Sequence, residues 1–355
     1  MTKSRILLIR GSAPNGVSFH RLFTPHNRLK LDEGYKVFDA DSIEEVADND
    51  LKTIDIVIAN RTLTGVDAAT NITQINRVKS CGAKYIVDVD DYWYLHHGHE
   101  LSKWWNNNNM TSIIETNIKH ADYVTVTHDY LGKKTKRDYH VFENGIDSTQ
   151  DQFKVEDKPI EREIAFGWSG SNNHYGDIML LKESLRRLND EDVNYKMLFC
   201  GFNPDMKHCK AYERVLSADY TCNNYVNVEG QPVDKYGFMY DLLNVSLIPL
   251  VDTEFNNCKS NLKMLESGFK KKAVIVSNVH PYTSIINHGV NCLKVNPTDR
   301  KGWYKEIMKL IKRPEMITEL SEQLYKDVQA YEIKNINKKR ISLYDSIGSN
   351  PNYKG

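Results

Sequence analysis

The chain has 355 residues, long enough for two domains of ordinary size, each with its own hydrophobic core. Its 47 basic residues balance 47 acidic ones, so no overall field draws it toward nucleic acid or a membrane. The N-terminal apolar run at 6–9 is too short for a signal peptide or membrane span, and nothing later is long enough to cross a bilayer. The six cysteines show no CxxC pair or zinc spacing, so we expect reduced thiols in a cytoplasmic protein.

Apolar runs of strand length recur along the chain, separated by segments with helical periodicity. Many are rich in Val and Ile with little alternation, which is typical of parallel strands covered on both faces. They lie at 5–10, 35–40, 54–60, 84–90, 123–128, 140–144, 163–169, 196–201, 225–230, 245–250, 273–278 and 292–297. Amphipathic helices are predicted between them at 70–80, 113–120, 177–188, 235–243 and 301–311. This alternation predicts a doubly wound α/β architecture.

The best linker is the polar, strand-free stretch at 148–162. We therefore predict one Rossmann-like domain at 1–150 and a second at 160–315. Helices at 316–355 follow, and we expect them to pack back toward the first domain.

The segment at 245–268 is the most informative part of the chain. A buried strand at 245–250 is followed by a polar loop and a helix that we expect to start at Ser260, a good N-cap residue. Lys259, Lys263 and Glu266 follow an i, i+4, i+7 spacing that predicts one shared helix face. A helix N-terminus with adjacent lysines suits a diphosphate. The alternative is an ordinary amphipathic helix with a solvated lysine face.

Ligands of open α/β sheets bind beyond the carboxyl ends of the strands. This rule selects candidate residues in both predicted domains. In the first they are Gly11, Ser12, Asn60, Arg61, residues 88–91, His128 and Asn144. In the second they are residues 169–171, Gly201, Phe202, residues 230–232 and residues 252–259.

Two clusters raise the question of a metal site. Asp88, Asp90 and Asp91 form a DxD-like triplet, and His96, His97 and His99 follow it, but no further ligand set supports zinc. Capping of the next helix is an equally good interpretation of the aspartates. No metal is expected.

Three motifs, in order, resemble those of the GT-B glycosyltransferases, in particular the retaining type that includes sucrose and glycogen synthases. HVFENGID at 140–147 is similar to the family's Asn-Gly-(Val/Ile)-Asp turn, and FGWSGS at 166–171 is similar to the Gly-rich turn that opens the donor domain. The third motif, LIPL followed by KSNLKMLESG, is similar to the donor helix. SFHRLFTP at 18–25 and VDVDDYW at 87–93 also resemble segments of bacterial and phage members.

This resemblance implies two Rossmann-like domains that face a cleft. It also implies transfer of a sugar from a nucleotide-diphosphate sugar, UDP in preference to GDP, with retention of configuration and without a metal or prosthetic group. Glu266 matches the carboxylate that holds the ribose. The expected donor-binding residues are Arg21, Ser169, Gly170, Ser171, Gly201, Phe202, Gln231, Pro232, Val233, Lys259, Ser260, Asn261, Leu262, Lys263 and Glu266.

The expected catalytic residues are Asp90, Asp91, His128 and Lys259. Either aspartate is predicted to accept hydrogen bonds from the acceptor or from Arg21, and His128 either contacts the sugar or caps a helix. Gly16, Ser18, His20, Trp93 and His97 are expected on the acceptor side, with packing beneath a loop as the alternative for Trp93.

The chain departs from the family pattern at three places, one of which is the end of the donor helix, where Lys271 and Ala273 stand in place of the usual Gly and Pro. Cys258 stands where the family has a second glutamate, eight residues before the ribose-binding one. Residues 171–174, Ser-Asn-Asn-His, replace the Arg and Lys that often clamp the diphosphate. A non-catalytic nucleotide- or glycan-binding protein and a nucleotide-sugar epimerase therefore remain as alternatives.

The acceptor stays open at this point. A glycan or lipid-linked glycan is expected, with a hydroxymethylated base in phage DNA as the minority alternative. Basic runs at 133–137, 270–272 and 338–340 are either solvated faces or docking sites for an anionic acceptor or lipid headgroups, so peripheral membrane contact is allowed. The sequence does not predict an oligomeric state.

Overall fold

A computed structural model describes residues 3–11, 15–95, 98–99, 101–156, 163–171, 173–191, 193–299 and 301–348. The contacts divide the chain into two compact units. Unit 1 comprises Met1–Asp147, Cys258–Ser260 and Tyr331–Gly355, and unit 2 comprises Ser148–Asn257 and Asn261–Ala330.

Unit 1 is built on a six-stranded parallel sheet with the order β2-β1-β3-β4-β5-β6. The strands are β1 (Arg5–Ile9), β2 (Lys36–Ala40), β3 (Ile56–Asn60), β4 (Lys84–Val89), β5 (Tyr123–Val126) and β6 (His140–Val141). The three central strands β1, β3 and β4 are almost wholly buried because helices or the chain's own C-terminus cover both faces of the sheet.

The helices of unit 1 begin with an unusual turn. A short α1 (Gly16–Ser18) runs into a π-helix at Phe19–Phe23 before α2 (Thr24–Glu33). A 3-10 turn at Ile43–Glu45 precedes the remaining helices, which are α3 (Asp48–Leu51), α4 (Ala68–Ser80), α5 (Ser102–Asn107), α6 (Met110–His120) and α7 (Asp129–Lys134). Helices α4 and α6 bury Ile75, Val78, Ile114 and Ile118 against one face of the sheet.

Unit 2 has a second six-stranded parallel sheet with the order β12-β11-β10-β7-β8-β9. Its strands are β7 (Ile164–Ser169), β8 (Tyr195–Phe202), β9 (Tyr225–Glu229), β10 (Val245–Ile248), β11 (Ala273–Ser277) and β12 (Leu293–Val295). The core lies between this sheet and its helices around Trp168, Phe199 and Tyr212.

The helices of unit 2 differ from the sequence prediction in two places. The single helix expected at 177–188 is two, α8 (Tyr175–Met179) and α9 (Lys182–Asp190), and the segment predicted at 235–243 is a 3-10 helix, Tyr236–Leu242. The other helices are α10 (Lys207–Leu216), α11 (Glu254–Asn257), α12 (Leu262–Phe269), α13 (His280–Thr283), α14 (Gly302–Lys312) and α15 (Glu315–Val328).

The last helix, α16 (Ile333–Gly348), follows a 3-10 turn at Gln329–Tyr331 and packs on unit 1. The amide of Ile333 donates to the carbonyl of Ile146 at 2.8 Å, and the side-chain amide of Asn337 donates to the carbonyl of Pro25 at 2.8 Å. Unit 1 is therefore completed by residues from the end of the chain.

Two Rossmann-like parallel sheets confirm the predicted fold class. None of the six cysteines, all of which lie in the described residues, forms a disulfide. No helix in the described residues is both long enough and apolar enough to span a membrane.

Candidate active site

Three glycines lie at or beyond the carboxyl ends of neighbouring strands of unit 2: Gly170 after β7, Gly201 in β8 and Gly230 after β9. Gly201 has a φ of +104°, and a Cβ added there would lie 2.2 Å from the carbonyl oxygen of Gly170. Only glycine allows the backbone to approach this closely with that conformation. The result is an edge made mostly of main chain, which is the kind of surface that phosphates and sugars approach.

Lys263 of α12 extends to this glycine edge. Its amino group lies 4.7 Å from the ring centroid of Trp168, a cation–π distance. A Cβ added to Gly170 would lie 3.0 Å from the Lys263 amino nitrogen and 2.7 Å from the Trp168 ring, so a side chain at 170 would displace the lysine. Lys263 thus brings a positive charge to the carboxyl end of β7.

Glu266, one turn further along α12, is held by two tyrosines. The hydroxyl of Tyr236 donates to Oε1 at 2.5 Å, and the hydroxyl of Tyr240 donates to Oε2 at 2.6 Å. The Glu266 residue is only 5% exposed. Each oxygen of a carboxylate can accept more than one hydrogen bond.

The electrostatics of Glu266 are set mainly by burial. Burial raises the pKa of the Glu266 carboxyl above its ordinary value, while the two tyrosine hydroxyls and the positive charge of Lys263 act in the opposite direction. Burial also raises the pKa of Tyr236 and of Tyr240, so both hydroxyls stay protonated donors. Neither tyrosine was predicted from sequence, because no local pattern shows that the 3-10 helix Tyr236–Leu242 lies beside Glu266.

The predicted start of the donor helix was wrong. Helix α12 begins at Leu262, and its N-cap residue is Asn261, which makes no side-chain capping hydrogen bond. Ser260 accepts a hydrogen bond at 2.8 Å from Asn144 within unit 1 instead. Lys259 precedes the helix, so it shares no helix face with Lys263 and Glu266. The partner of the Ser260 hydroxyl is far away in the sequence, so the local pattern could not predict it.

Asp177 organises the loop that follows β10. Its Oδ1 accepts hydrogen bonds from the amide of Val251 at 2.9 Å and from the side chain of Asn256 at 3.1 Å. Its Oδ2 lies 2.8 Å from Nδ1 of His174. Asp177 is buried, and it fixes the polar loop that leads to α11. It was not among the predicted site residues, because its partners Val251 and Asn256 lie more than 70 positions away in the sequence.

The other predicted donor-binding residues of unit 2 also lie at or after the carboxyl ends of β7, β8 and β9. Ser169 ends β7 and is half-buried, and Ser171 is exposed. Phe202 ends β8 and packs edge-on against Phe199. Gln231 and Pro232 are exposed after β9, and the carbonyl of Val233 accepts a hydrogen bond from Gln152.

In unit 1, Arg21 is buried in an ion pair with Asp88. Its Nε and Nη2 donate to the two carboxylate oxygens at 2.9 and 2.6 Å, and Nη1 donates to the carbonyl of Phe142 and to Oδ1 of Asn144. Burial alone would raise the pKa of Asp88, but Arg21 outweighs it and holds that pKa below its ordinary value. The arginine predicted to contact a diphosphate thus has four of its N–H groups committed inside unit 1.

We predicted Arg21 as a hydrogen-bond donor to Asp90 or Asp91, but Arg61 contacts both of them instead. Its Nε and Nη2 donate to the two oxygens of Asp90 at 2.7 and 2.9 Å, and Nη2 also reaches Asp91 at 3.3 Å. Arg61 has a φ of +61°, a left-handed conformation that is costly for a side chain of this size. Asn60 donates to both Asp88 and Asp90, which confirms that these two carboxylates share one side of the sheet.

Asp91 is the titratable group of this cluster. Burial and the neighbouring charge of Asp90 raise the pKa of Asp91, while Arg61 and Lys259 act in the opposite direction. A carboxyl group with a raised pKa beside two cations is a candidate for proton transfer.

His128 begins α7 as its N-cap, and both ring nitrogens have partners. Nδ1 accepts from the amide of Leu131 at 3.3 Å, so Nε2 carries the proton and donates to the carbonyl of Cys258 at 3.1 Å. The capping role is thus present. The Cys258 side chain is wholly buried in the hydrophobic cluster of unit 1, so this thiol does not replace the carboxylate expected there.

The predicted acceptor-side residues occupy different environments. Gly16 and Ser18 belong to α1, where Ser18 and Asn15 form a capping box, and His20 lies buried in the π-helix. Trp93 is 3% exposed and packs in the core, whereas Trp104 is 55% exposed. His97 lies outside the described residues. Among the described residues, no group of three or more His, Cys, Asp or Glu side chains is arranged to hold a metal ion.

Comparison with known proteins gives results at the level of structure only. No family model and no curated protein sequence matches the chain. A glycosyltransferase from Rickettsia africae superposes with a TM-score of 0.67 at 14% identity, over 99% of this chain and 100% of that one. Sucrose-phosphate synthase from Thermosynechococcus elongatus gives 0.68 at 14% identity, over 98% and 100%.

HepE from Anabaena, solved in complex with UDP and glucose, gives a TM-score of 0.70 at 10% identity, over 98% of this chain and 100% of HepE. These matches extend over almost the whole chain, so they include both sheets and the returning α16. The chain has the GT-B fold, as the sequence motifs implied.

Proposed function

We propose that this protein transfers a sugar from a nucleotide-diphosphate sugar, with UDP as the first nucleotide to test, to an acceptor hydroxyl. The observation that carries the proposal is the grouping of Lys263, Glu266 and the glycine edge at the carboxyl ends of β7–β9 in unit 2. Other proteins of this fold support the nucleotide: HepE has been solved with UDP-glucose, and the pneumococcal O-GlcNAc transferase GtfA with UDP and GlcNAc.

In the proposed donor site, Lys263 and the backbone of Asn261 and Leu262 hold the diphosphate, and Glu266 accepts hydrogen bonds from the ribose hydroxyls. The base contacts the rim formed by Phe202 and Gln231–Val233. The ribose hydroxyls share the Glu266 carboxylate with Tyr236 and Tyr240, which fix its orientation. A carboxylate held in one orientation binds a diol with less loss of side-chain entropy.

The proposed reaction breaks the bond between the anomeric carbon and the diphosphate oxygen, while the acceptor oxygen bonds to the same carbon. Negative charge grows on the leaving diphosphate, and positioned cations stabilise it there. The acceptor proton passes to the leaving phosphate on the same face of the sugar, which gives retention. In unit 1, Asp90, Asp91, His128 and Lys259 are proposed to bind and orient the reacting groups.

A second function has one specific observation in its favour. Cys258 is buried and apolar at the position where the resembled family has a glutamate that contacts the transferred sugar. A protein that binds nucleotide sugars without turning them over fits this difference. Absence of both transfer and slow donor hydrolysis, with donor binding intact, would select this alternative.

The test is a thermal-shift panel of UDP-, GDP- and ADP-sugars, followed by titrations of Glu266→Gln, Glu266→Ala and Lys259→Ala. Glu319→Ala on α15 and Lys207→Ala on α10 are matched controls, because both remove an exposed charge. We expect a UDP-sugar to stabilise the wild type and both controls, and the Glu266 variants to lose at least tenfold in donor affinity, the value of a charge-assisted hydrogen bond, ~1.5–3 kcal/mol. Unchanged donor affinity and turnover in the Glu266 and Lys259 variants would contradict the site.

A further inference from the structure

A cavity of about 440 Å³ opens on unit 1 between the loop that follows β4 and the C-terminal parts of α6 and α7. Its volume falls in the range of small-ligand pockets, roughly 300–1,000 Å³. None of the residues assigned to the donor site line it. Among the described residues, Trp93 is the one that it shares with the predicted acceptor side.

The cavity wall is strongly basic although the chain as a whole is neutral. Among the described residues, five cationic side chains line it against a single carboxylate, Glu115, so these side chains together carry a net charge of +4. The cations are Lys119 from α6 and Lys133, Lys134, Lys136 and Arg137 from the end of α7 and the turn after it. A recess lined by charges of one sign focuses the field on its interior and attracts an anion.

Two of the cations also build the wall. Arg137 donates to the carbonyls of Ile118, Lys119 and Ala121, and thereby caps the C-terminal end of α6. The Lys134 amino group lies 4.7 Å from the ring centroid of Tyr130. The Arg137 hydrogen bonds connect the turn after α7 to the end of α6, and the Lys134 contact lies within α7.

The remaining three lysines provide the charge for a ligand. Lys119, Lys133 and Lys136 form no ion pair with any carboxylate in the described residues, and all three are exposed. Lys136 has a φ of +54°, which sets its direction within the turn. Lysine ammonium groups in this arrangement bind phosphate oxygens as point charges.

The same cavity is also lined by Tyr94 and Glu115, which have groups that suit a sugar. Tyr94 is 49% exposed, and its hydroxyl donates to Oε1 of Glu115 at 2.5 Å. A half-exposed ring face packs against the C–H face of a sugar, and the carboxylate beside it accepts hydrogen bonds from sugar hydroxyls. The rings of Tyr92 and Tyr94 are inclined at 41°, so they form no parallel slot for a base.

We infer that this cavity binds a phosphorylated carbohydrate, with the phosphate at Lys119, Lys133 and Lys136 and the sugar ring on Tyr94 and Glu115. A carboxylate in the wall opposes a continuous phosphodiester backbone, which disfavours nucleic acid. A recessed site also suits a single phosphate better than the flat surface of a membrane.

The test is calorimetric titration of the whole chain with glucose 6-phosphate, inorganic phosphate and glucose, in saturating UDP so that any nucleotide site is occupied. The variants are Lys119→Gln with Lys133→Gln, and Tyr94→Leu. Lys207→Gln with Lys210→Gln on α10 is the matched control, because it also removes two exposed lysines. An oligothymidylate and vesicles of phosphatidylglycerol form two further arms.

We expect glucose 6-phosphate to bind more tightly than inorganic phosphate or glucose. The Lys119/Lys133 variant should weaken it about tenfold or more, and the control should not change it. Tyr94→Leu should weaken glucose 6-phosphate but leave inorganic phosphate unchanged. Equal binding of phosphate with and without the sugar, insensitivity to the Lys119/Lys133 variant, or tighter binding of the oligonucleotide or vesicles through the same lysines would overturn the inference.

Discussion

Arg61 and Asp90 form a two-pronged ion pair at the carboxyl ends of β3 and β4, with nitrogen–oxygen distances of 2.7 and 2.9 Å. Arg61 adopts a left-handed backbone conformation there, with a φ of +61°. Arg61 also contacts the next aspartate, Asp91, and we propose that the reaction requires this geometry.

Replacing Arg61 by lysine tests the requirement for the two-pronged geometry. The charge is kept, but a lysine ammonium cannot span both oxygens of Asp90. We expect Arg61→Lys to lower kcat/KM by roughly tenfold or more, with a change in unfolding free energy below about 1 kcal/mol. Initial rates at several donor concentrations and urea denaturation measure the two quantities. Wild-type kcat/KM in this variant would show that the pair has no role in the reaction.

Removing a tyrosine hydroxyl that donates to the buried Glu266 should destabilise the protein more than removing one that donates to an exposed carboxylate. Tyr240→Phe leaves one oxygen of a buried carboxylate without its donor, so we expect a loss of about 1–3 kcal/mol. Tyr304→Phe is the matched control, because the hydroxyl of Tyr304 donates to an exposed carboxylate, Glu191. The control should change the unfolding free energy by less than about 0.5 kcal/mol. Equal effects of the two variants would contradict the buried network.

Arg21 and Asp88 predict a larger effect, because both partners are almost wholly buried. Arg21→Met leaves the Asp88 carboxylate uncompensated, and we expect a loss of roughly 3–5 kcal/mol. Arg28→Met removes the same side chain from an exposed pair with Asp32, and the expected loss is below about 1 kcal/mol. Denaturant unfolding of both variants measures the difference. A small effect of Arg21→Met would indicate that water reaches Asp88.

Two buried histidines predict a pH dependence of stability. Burial lowers the pKa of His20 to about 3, with Arg21 adding to the shift, and burial lowers the pKa of His26 to about 3 with a contribution from Arg340. Below about pH 6.5, these two histidines therefore bind protons in the unfolded chain but not in the folded chain. Stability should fall as the pH drops from about 6.5 toward 3.

Each histidine contributes a slope of about 1.4 kcal/mol per pH unit within that window. His26→Gln removes one of them, so its unfolding free energy should depend less steeply on pH than that of the wild type by about this amount. Unfolding by urea at pH values between 6 and 4.5 measures the difference, in roughly half-unit steps. Parallel slopes for the two proteins would mean that His26 is protonated in the folded state.

The sheets were predictable from sequence because most of their strands are buried on both faces. Runs such as those that form β3 and β11 are nearly all Val, Ile and Ala, and each of the twelve predicted runs overlaps an observed strand. The helices were less predictable. The segment at 177–188 has one continuous apolar pattern, yet it divides into α8 and α9, and Asp177 is drawn into the hydrogen bonds of a distant loop.

The partners of the site residues could not be predicted, since side chains far apart in the sequence meet only in the folded chain. Arg21 was predicted beside Asp90 or Asp91 but pairs with Asp88. Nothing in the local sequence distinguishes it from Arg61, 40 positions later. Ser260 was predicted to cap the helix, but its hydroxyl accepts a hydrogen bond from Asn144. Glu266 was identified from its motif alone, whereas its two tyrosines required knowledge of where the 3-10 helix lies.

The most direct measurement of the central claim follows a UDP-sugar labelled in the sugar, together with Lys263→Ala and the control Lys207→Ala. We predict that the wild type and the control release UDP and pass the label to an acceptor or, slowly, to water. Lys263→Ala should lower that rate by roughly a hundredfold, since it removes a charge placed to stabilise the leaving diphosphate. Failure of the wild type to bind or consume any nucleotide sugar, or an unchanged rate in Lys263→Ala, would contradict the account.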